Sequence, residues 1–140
     1  MNNLSFYKDL YKKASDYLVE NGLNPLPSIT LNIIWMRTNR ILGQVRSRWE
    51  GEKLVPEVLT MNARFENSDE SKRIETLMHE IAHVYCIHYY NEPGHTPLFN
   101  RIAKSLGAVG GKFQQVDKIE SAMQNREEYS EVRKPDSFRT

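Results

Sequence analysis

Cysteine is nearly absent: Cys86 is the single thiol in 140 residues. This excludes an intrachain disulfide and any Cys-rich zinc ribbon within the chain, and it predicts a reducing, cytoplasmic compartment. An excess of charge of one sign is missing too. The formal net charge is +1, so no long-range field singles out nucleic acid or an anionic membrane as the main partner. Nor is there an apolar run long enough to span a bilayer, because the richest stretch is interrupted by His83 and His88. The opening Met1-Asn2-Asn3, followed by Lys8, Lys12 and Lys13, does not read as a secretory signal. What remains is ordinary. Hydrophobic residues make up 39% and charged residues 26%, the proportions of a soluble globular protein, and the length suits one domain with its own core.

Leu4, Tyr7, Leu10, Tyr11, Ala14 and Leu18 recur at helical steps and predict an amphipathic first helix, ended by Gly22, Pro25 and Pro27. From Ser28 to about Arg37, Ile29, Leu31, Ile33 and Trp35 share one alternation, the mark of a strand. Two more β segments follow, Ile41 to Trp49 and Val58 to Phe65, with Gly51 and Pro56 in the turn region between them. A small antiparallel sheet is the expectation. Ser68 and Asp69 offer caps for a long helix marked by Ile74, Leu77, Met78, Ile81, Val84 and Tyr85, and Asn91-Glu92-Pro93-Gly94 breaks it. Thr96-Pro97 starts a further helix through Leu98, Phe99, Ile102, Ala103 and Leu106 to Gly107. The reading is therefore α+β, with one domain over residues 1–112 and a polar extension over 113–140. That extension carries a short helix from Val116 to Met123 and a loosely held end from Glu127.

The long helix contains His79-Glu80-Ile81-Ala82-His83. Residues four apart share a helix face, so both imidazoles can reach one ion, while Glu80, turned about 100° away, sits beside that ion rather than on it. This is a zinc site with a general base for an attacking water. The apolar positions of the helix fill an arc opposite the two histidines, so His79 and His83 are expected to face a cleft or solvent, on the side of Lys72, Glu75 and Thr76.

A catalytic zinc needs a third protein ligand and an open fourth position. His88 is about half a turn off the ligand face, and Cys86 lies about 10 Å along the axis from His79 on a short side chain. His95, placed after the break at Pro93-Gly94, is the best third ligand, with Glu92 as its rival.

The run Thr76-Leu77-Met78-His79-Glu80-Ile81-Ala82-His83, followed by Pro93-Gly94-His95-Thr96-Pro97-Leu98-Phe99, resembles the SprT-like family of zinc metalloproteases, which includes the eukaryotic Spartan proteases. Trp35, Arg40-Ile41-Leu42-Gly43 and Val58-Leu59-Thr60-Met61-Asn62 resemble that family's strand region, so the likeness spans about Ile29 to Gly107. It implies a compact zincin-like α+β fold, His79, His83 and His95 as zinc ligands, and Glu80 as general base. Many family members add a Cys-rich ribbon or DNA- and partner-binding segments, and this chain shows neither. The crosslink repair associated with Spartan is therefore not carried over.

Arg37, Arg40, Arg46 and Arg48 flank Trp35 and Trp49. Positive charge beside an exposed aromatic can hold single-stranded DNA; a net charge of +1 favours a solvated sheet face with core tryptophans instead. Three functions fit the sequence: a metalloendopeptidase acting on proteins, DNA-associated ones included; a noncatalytic zinc-binding regulatory or DNA-associated module; and a peptidase controlling a regulator in a mobile element. Glu80 favours an enzyme, since a structural site needs no general base. The expected partner is a protein or peptide, with no membrane.

Overall fold

The computed structural model describes residues 3–110. Helix α1 (Asn3–Glu20) buries Tyr7, Leu10, Ala14 and Leu18, at steps of three and four residues. Gly22 ends it at φ +81, where the Leu23 amide donates to Leu18 O (2.9 Å) and the Gly22 amide to Val19 O (3.0 Å). This paired closure needs a left-handed residue, which glycine adopts at no steric cost. The linker beyond is clamped by hydroxyls: Tyr11 donates to Pro27 O, Tyr89 donates to Pro25 O, and Ser15 Oγ accepts from the Leu26 amide.

Three strands form one sheet in the order β1-β3-β2: β1 (Thr30–Ile34), β2 (Gly43–Glu50) and β3 (Lys53–Asn62). Strands β2 and β3 are an antiparallel hairpin joined by Gly51-Glu52, with Gly51 at φ +61. A positive φ at the first central residue alone marks the II′ geometry that matches strand twist. The sheet is mixed rather than wholly antiparallel, because β1 pairs parallel to β3 from Thr30↔Val58 to Ile34↔Asn62. Residues 35–42 make this possible by carrying the chain across the end of β3, so that the hairpin folds its second strand into the middle.

Pro56, expected in a turn, lies inside β3 beside a register shift opposite Arg46 and Ser47. β1 begins to pair only at Val58, so Pro56 occupies a stretch of β3 flanked on one side alone, where its missing N–H costs no ladder bond. β1 ends at Ile34, one residue short of Trp35. The alternation expected to place that side chain inside does not reach it, and Trp35 is 65% exposed. Trp49 does pack against the core.

A 3₁₀ turn (Ala63–Phe65) leads to α2 (Glu70–Tyr90), whose N-cap Asp69 accepts from the Ser71 amide. Asn91, left-handed at φ 56, closes the far end, and its side chain bonds Leu54 N and Glu52 O of the hairpin. Lys53 donates to His88 O, placing a cation where the helix dipole favours one. Thr96 caps α3 (Pro97–Gly110) by accepting from the Phe99 amide at 3.1 Å.

The α2 residues Leu77, Ile81 and Val84, the sheet residues Leu31, Val45, Leu59 and Met61, and the α3 residues Phe99 and Leu106 form one continuous core. Each large side chain fully buried there contributes about 1.5–3 kcal/mol. The expected α+β layout is present. The expected boundary at residue 112 and the helix from Val116 to Met123 lie outside the described residues. Among the described residues, no helix is long and apolar enough to cross a membrane.

Candidate metal centre

Every residue of α2 from Glu75 to Ile87 is buried, the polar ones included. His79 and His83 are each 2% exposed and Glu80 is 0% exposed. The cleft or solvent expected opposite the apolar arc is therefore closed over. A helical wheel registers only the helix's own side chains, and here α3 supplies Phe99 to the histidine face while the sheet supplies Gly43 beside Glu80. Ionisable side chains are almost never buried this completely unless they are paired or serve a site.

His95 enters from the segment between α2 and α3. Its Nε2 lies 3.1 Å from His79 Nε2, and one ligand atom from each of His79, His83 and His95 lies within 4.8 Å of the others. Two imidazole nitrogens at tetrahedral angles on zinc, each about 2.0–2.1 Å from it, stand about 3.3 Å apart. The His79–His95 pair matches that spacing closely and His83 lies within 4.8 Å of both, so the three histidines are positioned to bind one metal ion.

Phe99 organises the rings. It stacks on His83 (centroids 4.3 Å apart, planes at 25°), meets His79 edge-on at 5.0 Å and lies 4.8 Å from His95. Four residues after His95 and on the first turn of α3, it forms an apolar wall that fixes three ring orientations and excludes water behind them. The sequence marks Phe99 as an apolar residue of the last helix and as the end of the Pro93–Phe99 run that resembles the SprT-like family, without giving it a role; its i+4 spacing from His95 is the signal that could have done so. Gly43 was likewise read only as a strand residue. A Cβ there would meet Glu80 Cγ at 3.2 Å, Met61 Sδ at 3.3 Å and Thr60 O at 3.3 Å, so the missing side chain is what lets Glu80 pack against β2.

The rival ligands are occupied elsewhere. Glu92 accepts a hydrogen bond from Thr96 Oγ1 at 3.1 Å. Cys86 is fully buried, and desolvation, with the Glu92 charge adding to it, pushes its thiol up to about 12. His88 lies against Tyr89; burial, then the nearby Lys53 ammonium, holds its imidazole below the usual value.

Another buried polar residue frames the site. Asn62, 0% exposed, donates from Nδ2 to Thr38 O (2.9 Å) and Ile41 O (2.6 Å), and its Oδ1 accepts from the amides of Met36 (3.3 Å) and Arg64 (3.0 Å). All four side-chain positions are used. The loop over residues 35–42 is thereby tied down just before Gly43.

Searches of curated proteins and of solved structures returned no match. A family model does match, over residues 7–123, which takes in the sheet, the buried histidine helix, His95 and Phe99. On that match the chain belongs to the SprT-like family.

Proposed function

We propose that this chain is a zinc-dependent metalloendopeptidase that hydrolyses peptide bonds of protein substrates, with His79, His83 and His95 as ligands and Glu80 as general base. The observation that carries the reading is the convergence of three imidazoles beside a carboxylate buried on the same turn of α2. Membership of the SprT-like family supports it.

Three neutral imidazoles are a donor set suited to zinc, which when bound acidifies a water and polarises a carbonyl. The chain's own residues supply the rest. Glu80 takes the proton of the attacking water and returns it to the leaving amine. Gly43 lets the stem of Glu80 pack close against β2. Phe99 keeps the imidazoles aligned and water away from their far side. His95, less buried than His79 and His83, marks the side open to substrate. We also assign the activity to the cytoplasm, where a lone buried thiol stays reduced.

The test is Glu80→Gln, assayed on casein beside the wild type with bound zinc quantified. Proteolysis is expected to fall by about 10²–10⁴-fold, the usual contribution of a positioned acid–base group, while one zinc per chain is retained. Equal proteolysis by both proteins would sink the enzyme reading. Zinc binding without cleavage by either would leave the noncatalytic regulatory module. Adding single-stranded DNA to the assay tests whether DNA-associated proteins are the preferred substrates.

A further inference from the structure

Ile34 is 49% exposed and Trp35, next to it, 65%. Single apolar side chains on a surface are unremarkable, but an adjacent large pair, one at the end of β1 and one on the ordered loop after it, marks a candidate contact site. This loop is ordered by its bonds. The Arg64 guanidinium lies 4.7 Å from the Trp35 ring centroid, and it donates to Met36 O at 2.6 Å and Arg37 O at 3.2 Å. Asn62 holds the same loop at Met36, Thr38 and Ile41. One face of the Trp35 ring is thus fixed by a cation, and the side chain is presented at little further entropic cost.

The strand register places the loop that carries Trp35 at the end of the sheet where β2 meets Glu80. Ile34 pairs with Asn62, and Gly43 pairs with Met61. The end of β1 and the start of β2 therefore lie at the same end of the sheet, about 10 Å apart across β3. Ile34 faces the side of the sheet opposite Ile33, Met61 and Gly43, and the loop that carries Trp35 ends at Gly43, which adjoins Glu80.

The charge there has one sign. Between Glu20 and Glu50 the sequence holds four arginines and no acidic residue. Arg48 is taken up by Glu50 and Glu57. Arg37 and Arg40 are exposed, and neither makes an ion pair among the described residues.

We propose that Ile34, Trp35, Arg37 and Arg40 form a docking surface for the protein substrate that selects an extended segment combining a large apolar side chain with aspartate or glutamate. The proposal rests on the peptidase reading and names its substrate class. Trp35 and Ile34 take the apolar side chain, and the two arginines take the carboxylates. A single-stranded nucleic acid fits less well. The chain's net charge is +1 and its pI about 7.9, whereas nucleic-acid binders carry a strong basic excess and stack bases on successive aromatics. The Arg64 side chain is already committed to two main-chain carbonyls.

The experiment measures fluorescence anisotropy of labelled ten-residue peptides on the full-length, zinc-loaded Glu80→Gln protein. The peptides share a central Leu-Phe and differ in flanks of Asp/Glu, Asn/Gln or Lys. The acidic peptide should bind about tenfold tighter than the basic one at low salt. Arg37→Gln/Arg40→Gln should cut that preference to about twofold, and Arg37→Glu/Arg40→Glu should reverse it. Trp35→Ala should weaken all three peptides about fivefold. In the active protein, the same substitutions should raise KM for an acidic substrate and leave kcat within about twofold. Equal binding of acidic and basic peptides, or a preference untouched by either arginine pair, overturns the proposal. So does tighter binding of labelled oligothymidylate that is lost in the same variants, which would give the surface to single-stranded nucleic acid. Because binding is read on the inactive variant, a wild type that cleaves nothing overturns the peptidase reading and leaves this measurement standing.

Discussion

Asn62 and His79 are hidden almost equally, at 0% and 2% exposure, near the same end of the sheet, yet they are surrounded very differently. Asn62 spends its amide on four main-chain groups, three of them in the loop it pins. His79 aims a ring nitrogen at another imidazole 3.1 Å away, with a third ring 5.0 Å from its own. Main-chain partners stabilise a fold, because each would otherwise lose its hydrogen bond on burial. Histidines gathered against one another do not, since they repel when protonated and share at most one proton between neighbours when neutral. The first arrangement is scaffold and the second is a candidate metal site.

The largest effect expected from breaking this contrast is on the site. His95→Ala removes one of the three converging donors and should weaken zinc retention well beyond the roughly hundredfold seen when only an outer partner of a ligand is lost. Equilibrium dialysis against a zinc chelator measures it. A full equivalent of tightly held zinc in the variant would move the third ligand to another group, Glu92 first.

Asn62→Ala tests the other half. It leaves the Thr38 and Ile41 carbonyls and the Met36 and Arg64 amides without their partner. The expected loss is about 3 kcal/mol in urea unfolding, with one zinc still bound below the transition. A variant that keeps its stability and loses zinc would invert the comparison.

The sequence separates these two sets unevenly. His79, Glu80, His83 and His95 are legible because metal chemistry restricts residue type and because a helix fixes the i, i+4 spacing. The caps at Asp69 and Thr96 and the glycine turns at Gly22 and Gly51 are legible for a similar reason: each is a local rule. Asn62 is not, because three of its four partners lie 21 to 26 residues upstream, and nothing in its neighbourhood distinguishes it from a strand-end asparagine. The parallel pairing of β1, the place of Pro56 within β3 and the closure of the histidine face by Phe99 share that non-local origin.

Gly43 sits between the two sets, and its effect should be intermediate. Its φ is not in the left-handed region, so alanine is allowed by the backbone and only space is at issue. A Cβ 3.2 Å from Glu80 Cγ and 3.3 Å from Thr60 O forces the side chain to yield by a few tenths of an ångström, since the strand oxygen yields less easily. For Gly43→Ala we expect kcat on casein to fall about tenfold with zinc retained, at a stability cost of about 1 kcal/mol. If kcat is unchanged, Glu80 does not need the position that β2 gives it.

The smallest effect concerns His88, a histidine of the same helix that belongs to neither set. Burial, then the Lys53 ammonium, holds its imidazole below the ordinary value of about 6.5. A histidine with a lowered folded pKa costs nothing while neutral, so its contribution is intact above that ordinary value. As pH falls through it, the unfolded chain takes up the proton first and stability is lost. The comparison is with His88→Gln, in which every other histidine is unchanged, and both proteins are measured metal-free. The wild type should lose stability relative to the variant on going from pH 7.5 to 5, by a fraction of what Asn62→Ala costs, and the two should hold zinc equally at pH 7.5. A flat difference across that range would remove His88 from the acid response, and weaker zinc binding by His88→Gln would draw it into the site that the helix phase excludes.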